Sequence, residues 1–545
     1  MDAIRFDTAP RQYRHWKLDI TGPIASLGLD VAEDGGIAPG YALKLNSYDL
    51  GVDIELADAL QRIRFEHPEV RVLVLKSEKP RVFSAGANIY MLGAASHATK
   101  VAFCKFTNET RIGLEELSHE SGVPSIAALS GTASGGGYEL ALACDHIVLL
   151  DDGNTAVSLP EVPSLAVLPG TGGLTRLVDK RKVRRDLADV FSTLAEGVRG
   201  QRALDWGLVD ELLPRSRFEQ GVAEAAGRLS ERGRPRGGPG IELTPLAPRR
   251  DGDRTEYRHV ELTIDRARRV ATIGMRAPRT AAPKNADQLR REGATNWALA
   301  AFRELDDALL DLRHNDPQIG VIALETSGDP RAVLEHDRAL AALAPDDWFA
   351  REIVLQIGRT LKRLELSART LFAVIEAGSC FAGSLLELAL AADRSYMLDA
   401  AGGPRIALSP LNFGSLPMAN GLSRLEVRFL GKPDAPSELR RLQDQLIDAQ
   451  TAAASGLVTF TPDEIDWEDE VRLALEERAA FSPDALTGLE QNLRFAGPET
   501  LETKIFGRLS AWQNWIFVRP NAVGEQGALK RYGSAERPIF ETTRT

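Results

Sequence analysis

The chain repeats itself. YRHWKLDITGPIASLGL, starting at Tyr13, is answered by YRHVELTIDRARRVATIGM, starting at Tyr257, an offset of 244 residues. ELADALQRIRFEHPEVRVLVL from Glu55 is answered by ELDDALLDLRHNDPQIGVIAL from Glu304, an offset of 249. YELALACD (Tyr138–Asp145) matches LELALAAD (Leu386–Asp393), and LTRL (Leu174–Leu177) matches LSRL (Leu422–Leu425), both at an offset of 248. Four matches in the same order at nearly constant spacing point to one fold built twice. A chain of 545 residues also exceeds what a single core organises. So long a period marks two domains rather than a solenoid.

Within the first copy, Leu56–Arg64 has apolar residues at helical spacing, and VLVL (Val72–Leu75) reads as a strand buried on both faces. A second helix, Val101–Leu117, precedes the strand SIAAL (Ser125–Leu129). A glycine turn, a third helix and the strand HIVLL (His146–Leu150) follow. Strands alternating with helices predict an α/β architecture. Past about Leu430 the pattern turns mostly helical, with helices expected over Glu438–Ala454, Ile465–Ala479 and Pro483–Phe495. The stretch RGRPRGGPGIELTPLAPRRDGD, ending at Asp253, is rich in Pro, Gly and Arg and reads as a linker. The expected division is a first domain over 1–227, a linker over 228–256, a second domain over 257–430 and a helical region over 431–545.

Charge and cysteine usage narrow the class of function. Asp and Glu number 77 against 66 Lys and Arg, for a net charge of −11, and no basic block is interleaved with aromatics. A nucleic-acid partner is therefore not expected. No segment reaches the ~18 uninterrupted apolar residues of a membrane span, and MDAIRFDTAPRQYRHWK lacks a signal peptide's apolar core. Cys104, Cys144 and Cys380 are far apart, without zinc spacing, and fit a reducing cytoplasm. With no ligand cluster and no nucleotide fingerprint, neither a metal nor a redox cofactor is expected.

The stretch with chemical content is SGTASGGGYELALACD, Ser130–Asp145: strand end, glycine turn, helix. A helix N-terminus presents unpaired N–H groups, and glycines there let a ligand approach the backbone. A second glycine loop, FSAGANI (Phe83–Ile89), follows the VLVL strand. One N–H from each loop would hold a developing oxyanion. Taken alone, either loop is also a plain strand-to-helix connection. Glu139 sits one turn into the apolar helix, and acids are rarely buried there without a partner. Glu161, in VSLPEVPSLAVLPGTGGLTRL, is a second acid in apolar surroundings. Two carboxylates near such a hole suit general acid/base work on water, although a helix-dipole acid and a surface-loop acid are the bland readings.

FSAGANI, the SGTASGGGYELALACD block and SLPEVPSLAVLPGTGGLTRL, in that order, resemble the crotonase (enoyl-CoA hydratase/isomerase) superfamily, most strongly over residues 40–215. The resemblance implies a ββα spiral, here duplicated, that binds an acyl-CoA and acts as a homodimer. It assigns the two oxyanion amides to Ala87 and Gly136 and water activation to Glu139 and Glu161. It further implies substrate contacts at Lys44, Ala85, Asn88 and Gly135, with CoA along YALKLN (Tyr41–Asn46). Asn88 stands where the family commonly has aspartate. An ordinary hydratase has about half this length, and the whole-chain layout resembles that of a crotonase-type lyase, which implies action on an aromatic-derived CoA thioester. Hydration or isomerisation of a linear enoyl-CoA, and acyl-CoA binding without turnover, stay open beside it.

In the second copy Glu139 maps to Glu387, Gly136 to Ser384, Gly137 to Leu385 and Glu161 to Ser409. The segment answering FSAGANI reads AVLEHDR (Ala332–Arg338), without glycine. This copy is expected to be structural.

Overall fold

The computed structural model describes residues 3–234 and 236–545. The chain forms two compact units, with the break between Pro245 and Leu246; Ala3–Arg5 fold with the second unit.

The first unit has ten strands: β1 (Trp16–Thr21), β2 (Ile24–Leu29), β3 (Val72–Ser77), β4 (Arg81–Ser84), β5 (Ser125–Leu129), β6 (Gly131–Ser134), β7 (His146–Asp151), β8 (Ala156–Ser158), β9 (Val198–Arg199) and β10 (Glu211–Pro214). They make a six-stranded sheet, order β1-β2-β3-β5-β7-β10, and a four-stranded sheet, order β4-β6-β8-β9. β1 and β2 form an antiparallel hairpin, and the remaining pairings of the larger sheet are parallel. Each of β3, β5 and β7 is followed at once by a strand of the smaller sheet and then by helix. That is the ββα spiral, read three times.

Five helices matter for the site: α1 (Leu50–Phe65), α2 (Ile89–Ala94), α3 (His97–His119), α4 (Gly136–Ala143) and α5 (Glu161–Leu165). The side chain of Asp49 caps α1 by accepting from Gly51 N. VLVL is buried on both faces, as its unbroken apolar run predicts. Val72, Val74, Ile126, Ala128, Val148 and Leu150 pack in one apolar cluster with Phe218, Val222, Ala225 and Leu229 of a later helix. Every residue of α4 is buried, so the glutamate within it is inside the protein.

The stretch read as a linker is tethered for much of its length. Phe218–Ser230 is helix, and Arg236 donates to the carbonyls of Arg64, Ile63, His67 and Val70. Ile241 N donates to Phe65 O, and Leu243 N to Glu66. Its last part, Arg249–Glu256, forms strands of the second unit. Arginine supplies the reason: its guanidinium donates four hydrogen bonds to carbonyls at and just beyond the C-terminal end of α1.

The second unit carries one seven-stranded sheet in sequential order: β11 (Arg249–Asp251), β12 (Arg254–Glu256), β13 (Val260–Asp265), β14 (Val270–Arg276), β15 (Val321–Ser327), β16 (Thr370–Ile375) and β17 (Arg394–Met397). The β13–β14 hairpin answers β1–β2, and parallel β14–β15–β16–β17 answers β2–β3–β5–β7. The smaller sheet has no counterpart among the described strands; an isolated Ala382–Ala407 bridge marks part of its course. AVLEHDR is not a loop but part of the helix Pro330–Leu343. With no glycine in AVLEHDR to interrupt it, the helix starts at Pro330, three positions after the end of β15, and runs through the segment.

The C-terminal region is helical, with Trp467–Ala480 and Pro483–Arg494 close to expectation. The helix expected over Glu438–Ala454 is instead broken into Ala435–Leu439, a 3₁₀ turn at Arg440–Leu442, and Ala449–Ala454. Asp444 adopts φ +65°, and the chain between the pieces bridges to Leu408 and Ile406. No helix among the described residues is long and apolar enough to cross a membrane.

Candidate active site

The site forms where the loop after β4 meets the N-terminus of α4. Gly86 has φ +83°, and a Cβ placed there would lie 2.7 Å from Gly136 N and 2.8 Å from Ser134 O. Only glycine allows this backbone-to-backbone approach. It brings the Ala87 and Gly136 amides into one small region. Among the described residues neither is spent on a hydrogen bond elsewhere: Ala87 is flanked by Tyr48 N–H donating to Gly86 O and Asn88 N–H donating to Tyr48 O, both at 2.9 Å.

Glu139, 2% exposed, lies in the first turn of α4. Its Oε1 accepts from Thr171 N at 3.0 Å and Gly173 N at 2.8 Å, and its Oε2 from the Thr171 hydroxyl. The donors come from PGTGG, a segment held from behind by Arg176. That guanidinium donates to Thr171 O at 2.9 Å and bidentately to Glu115, both bonds at 2.9 Å. The carboxylate is thus fixed in place by charge-assisted bonds.

Glu161 is the opposite case. It opens α5 directly after Pro160. A Cβ on Gly135 would lie 2.7 Å from Glu161 Oε1, so the carboxyl stands over the glycine turn. Its Oε2 is buried without a hydrogen-bond partner. Burial, with the nearby Glu139 charge adding to it, pushes the Glu161 carboxyl up to about 7. The residues after it, Val162, Leu165, Val167 and Leu168, present an exposed apolar strip. The structure therefore brings together two acids in contrasting states, one immobilised and one unbonded, beside two unspent amides. Such a pair can take a proton at one carboxylate and return it from the other.

The remaining predicted residues divide. Gly135 (φ +53°) makes the turn and carries Glu161 above it. Lys44 and Ala85 are exposed, and Ala85 N donates to Leu45 O at 3.1 Å. Asn88 is not a free binding group: it is 3% exposed, caps α2 by accepting from Met91 N, and donates to Ala42 O and Ser47 Oγ. Asn46 is likewise committed, to Leu29 O, Phe83 O and Val31 N. Of YALKLN, this leaves Ala42, Lys44 and Leu45 exposed.

Sequence reasoning missed Thr171, Arg176 and Tyr48. The first two lie inside a quoted motif, but nothing in their spacing shows that they hold Glu139. Tyr48, 3% exposed, has its hydroxyl against Gly136. Among the described residues no group of three or more His, Cys, Asp or Glu side chains could hold a metal ion.

The family model for enoyl-CoA hydratase/isomerase matches residues 43–235. Across the full chain, the sequence is 55% identical to a benzoyl-CoA-dihydrodiol lyase of Aromatoleum evansii, covering 98% of that protein. Over 200 residues, 35% of the chain, it is 36% identical to a fatty acid oxidation complex subunit alpha of Shewanella loihica, covering 27% of that protein. Among solved structures, an enoyl-CoA hydratase of Bacillus anthracis matches 40% of the chain and 76% of its own length, at 27% identity and a TM-score of 0.34.

Proposed function

The chain belongs to the enoyl-CoA hydratase/isomerase (crotonase) family, and from that premise we propose that it is a carbon–carbon lyase of an aromatic-derived CoA thioester. The substrate is 2,3-epoxybenzoyl-CoA. Two waters add, the ring opens, and one carbon leaves as formate, giving 3,4-didehydroadipyl-CoA semialdehyde, in aerobic benzoate degradation. No metal or redox cofactor takes part, and the enzyme works as a cytoplasmic homodimer, which light scattering checks. The observation that supports this most is the contrast between immobilised Glu139 and unbonded Glu161, in a chain similar end to end to a benzoyl-CoA-dihydrodiol lyase.

The Ala87 and Gly136 amides hold the thioester oxygen and stabilise the charge that gathers on it as water adds to the conjugated ring. Glu139 is the base that takes the proton from water, since its lone pairs are oriented by three donors. Glu161, which titrates near neutrality, carries the proton that a ring oxygen needs as its C–O bond breaks. At the second water the two exchange tasks, and formate departs once the C–C bond to the hydrated aldehyde carbon is cleaved.

The test is to supply enzymatically generated 2,3-epoxybenzoyl-CoA and quantify formate and the semialdehyde product, with wild type and Glu161→Gln side by side. Stoichiometric formate from wild type that collapses in the variant is the expected result. Hydration of crotonyl-CoA without formate would make the protein a hydratase of linear substrates. Thioester binding without turnover of either would make it a binding protein.

A further inference from the structure

Tyr48 ends in a hydroxyl that the folded chain leaves unused. Its Oη is buried and no hydrogen bond of good geometry reaches it, although the Thr171 hydroxyl and the Arg111 guanidinium lie near enough to interact with it. The ring is held firmly all the same. Its backbone is stitched to the loop that carries Ala87. Its face meets Phe103, with centroids 6.0 Å apart, and Arg111, whose Cζ lies 5.3 Å from the ring centroid. Arg111 is fixed by Asp53 at 2.7 Å, and Asp53 by the Thr107 hydroxyl at 2.5 Å.

This scaffold aims the hydroxyl at the turn. A Cβ on Gly136 would lie 2.0 Å from Tyr48 Oη, so no other residue fits at 136 while the phenol keeps its place. Burial is the largest influence on the phenol and pushes its pKa above the ordinary value, which keeps it a neutral O–H donor. A buried hydroxyl without an acceptor is costly and calls for a reason. Phenylalanine would fill the same space without that cost.

Resting on the acyl-CoA reading of the site, we propose that Tyr48 Oη is a third hydrogen-bond donor to the substrate, joining the Ala87 and Gly136 amides on the thioester oxygen. It donates without giving up its proton, and no bond to Tyr48 forms or breaks. Charge that gathers on that oxygen during water addition then meets three donors instead of two.

The experiment compares wild type with Tyr48→Phe, using benzoyl-CoA carrying ¹³C at the thioester carbonyl as the probe. Isotope-edited infrared spectroscopy is expected to show the bound carbonyl stretch lowered in wild type and partly restored toward the free value in the variant. Without ligand, Tyr48→Phe is expected to melt at the wild-type temperature or above it, while the rise caused by benzoyl-CoA shrinks. Formate release from the epoxide is expected to fall about 10²-fold with little change in KM. Equal carbonyl shifts in both proteins would overturn the proposal, and so would a lower melting temperature of the ligand-free variant, because the hydroxyl would then have a partner within the fold. If wild type fails to bind benzoyl-CoA or to shift its carbonyl, the acyl-CoA reading falls and Tyr48 with it. A Tyr48-dependent shift with no formate from the epoxide upholds Tyr48 and overturns ring opening alone.

Discussion

In the first unit the Tyr13 hydroxyl donates to Asp58 at 2.5 Å, and in the second the Tyr257 hydroxyl donates to Asp307 at 2.7 Å. Glu55 accepts the amides of Arg14, His15 and Trp16, and Glu304 those of His259 and Val260. Arg176 pairs with Glu115 at 2.9 Å, and its counterpart Arg424 with Glu365 at 2.8 Å. These bonds bind helix to strand and loop to helix, and both copies keep them. At the glycine turn they differ. Ser384 N, which answers Gly136 N, donates to the Asp337 carboxylate at 2.6 Å, and the hydroxyls of Ser384 and Ser409 reach the same group at 2.8 Å. Asp337 answers Asn88, and Ser409 answers Glu161. Glu387, which answers Glu139, is bound by Arg424 at 2.8 Å and Asn412 at 2.6 Å instead of by a backbone loop. Polar groups that carry the fold and polar groups that carry chemistry are therefore separable, even when they sit one helical turn apart.

The sharpest way to break this comparison is to neutralise the matched acids. Glu139→Gln and Glu161→Gln are each expected to cut formate release by about 10³-fold or more, a loss on the scale of both acid/base function and site geometry. Glu387→Gln is expected to leave turnover unchanged within about twofold. A comparable loss from Glu387→Gln would show that the second unit takes part in catalysis, and the reading of it as structural would be wrong.

The matched arginines give a smaller contrast. Arg176→Lys loses the bidentate grip on Glu115 and the bond to Thr171 O. Thr171 then loosens, and steady-state kinetics should show kcat falling about tenfold, alongside a stability loss of about 1–2 kcal/mol from the weakened, largely buried pair with Glu115. Arg424→Lys should act on stability alone, destabilising by about 2–4 kcal/mol because Glu365 and Glu387 are left buried with a poorer partner, without touching kcat.

Protonation separates the units differently. Burial, partly offset by its serine donors, pushes the Asp337 carboxyl up to about 7, and Glu161 also stands at about 7. For a carboxyl raised in the folded state, the stabilising contribution is complete below its ordinary value and is lost as pH rises through about 7. Asp337→Asn should flatten that loss between about pH 4 and 7 without moving the pH–rate profile. Glu161→Gln should remove the alkaline limb of the profile near pH 7 in whatever activity remains. An alkaline limb that survives in Glu161→Gln assigns it to another group.

The smallest effect should be shared. Tyr13→Phe and Tyr257→Phe each remove one scaffold bond to a partly buried aspartate and should cost about 1 kcal/mol apiece in denaturant titrations. An effect confined to one copy would mean that the duplicated scaffold is no longer equivalent.

Much of this was legible before any coordinates. The repeat offsets locate the matched hairpins, strands and α4-type helices, because apolar periodicity and glycine position are local properties. Glu139 and Glu161 could be named because an acid in an apolar run is conspicuous. Tyr48 could not, since an aromatic ahead of a helix looks like core; its meaning depends on a bridge to Ala87 and an approach to Gly136 from 88 positions away. The capping role of Asn88 is hidden in the sequence for a related reason: it is decided by Met91 N, Ala42 O and Ser47 Oγ, not by the motif around it. The linker reading faltered where Arg236 turns a flexible composition into a clasp.

Asp337 gives the second unit an occupant of its own. A unit whose turn is already bonded to its own carboxyl group, covalently attached, has no vacancy for a metabolite to fill. Its folding has no ligand term, and starvation for substrate cannot loosen it. The first unit, whose amides wait for a visitor, gains stability only when one arrives. Under the proposed function, one half of a single polypeptide would track the supply of its thioester and the other half would be indifferent to it.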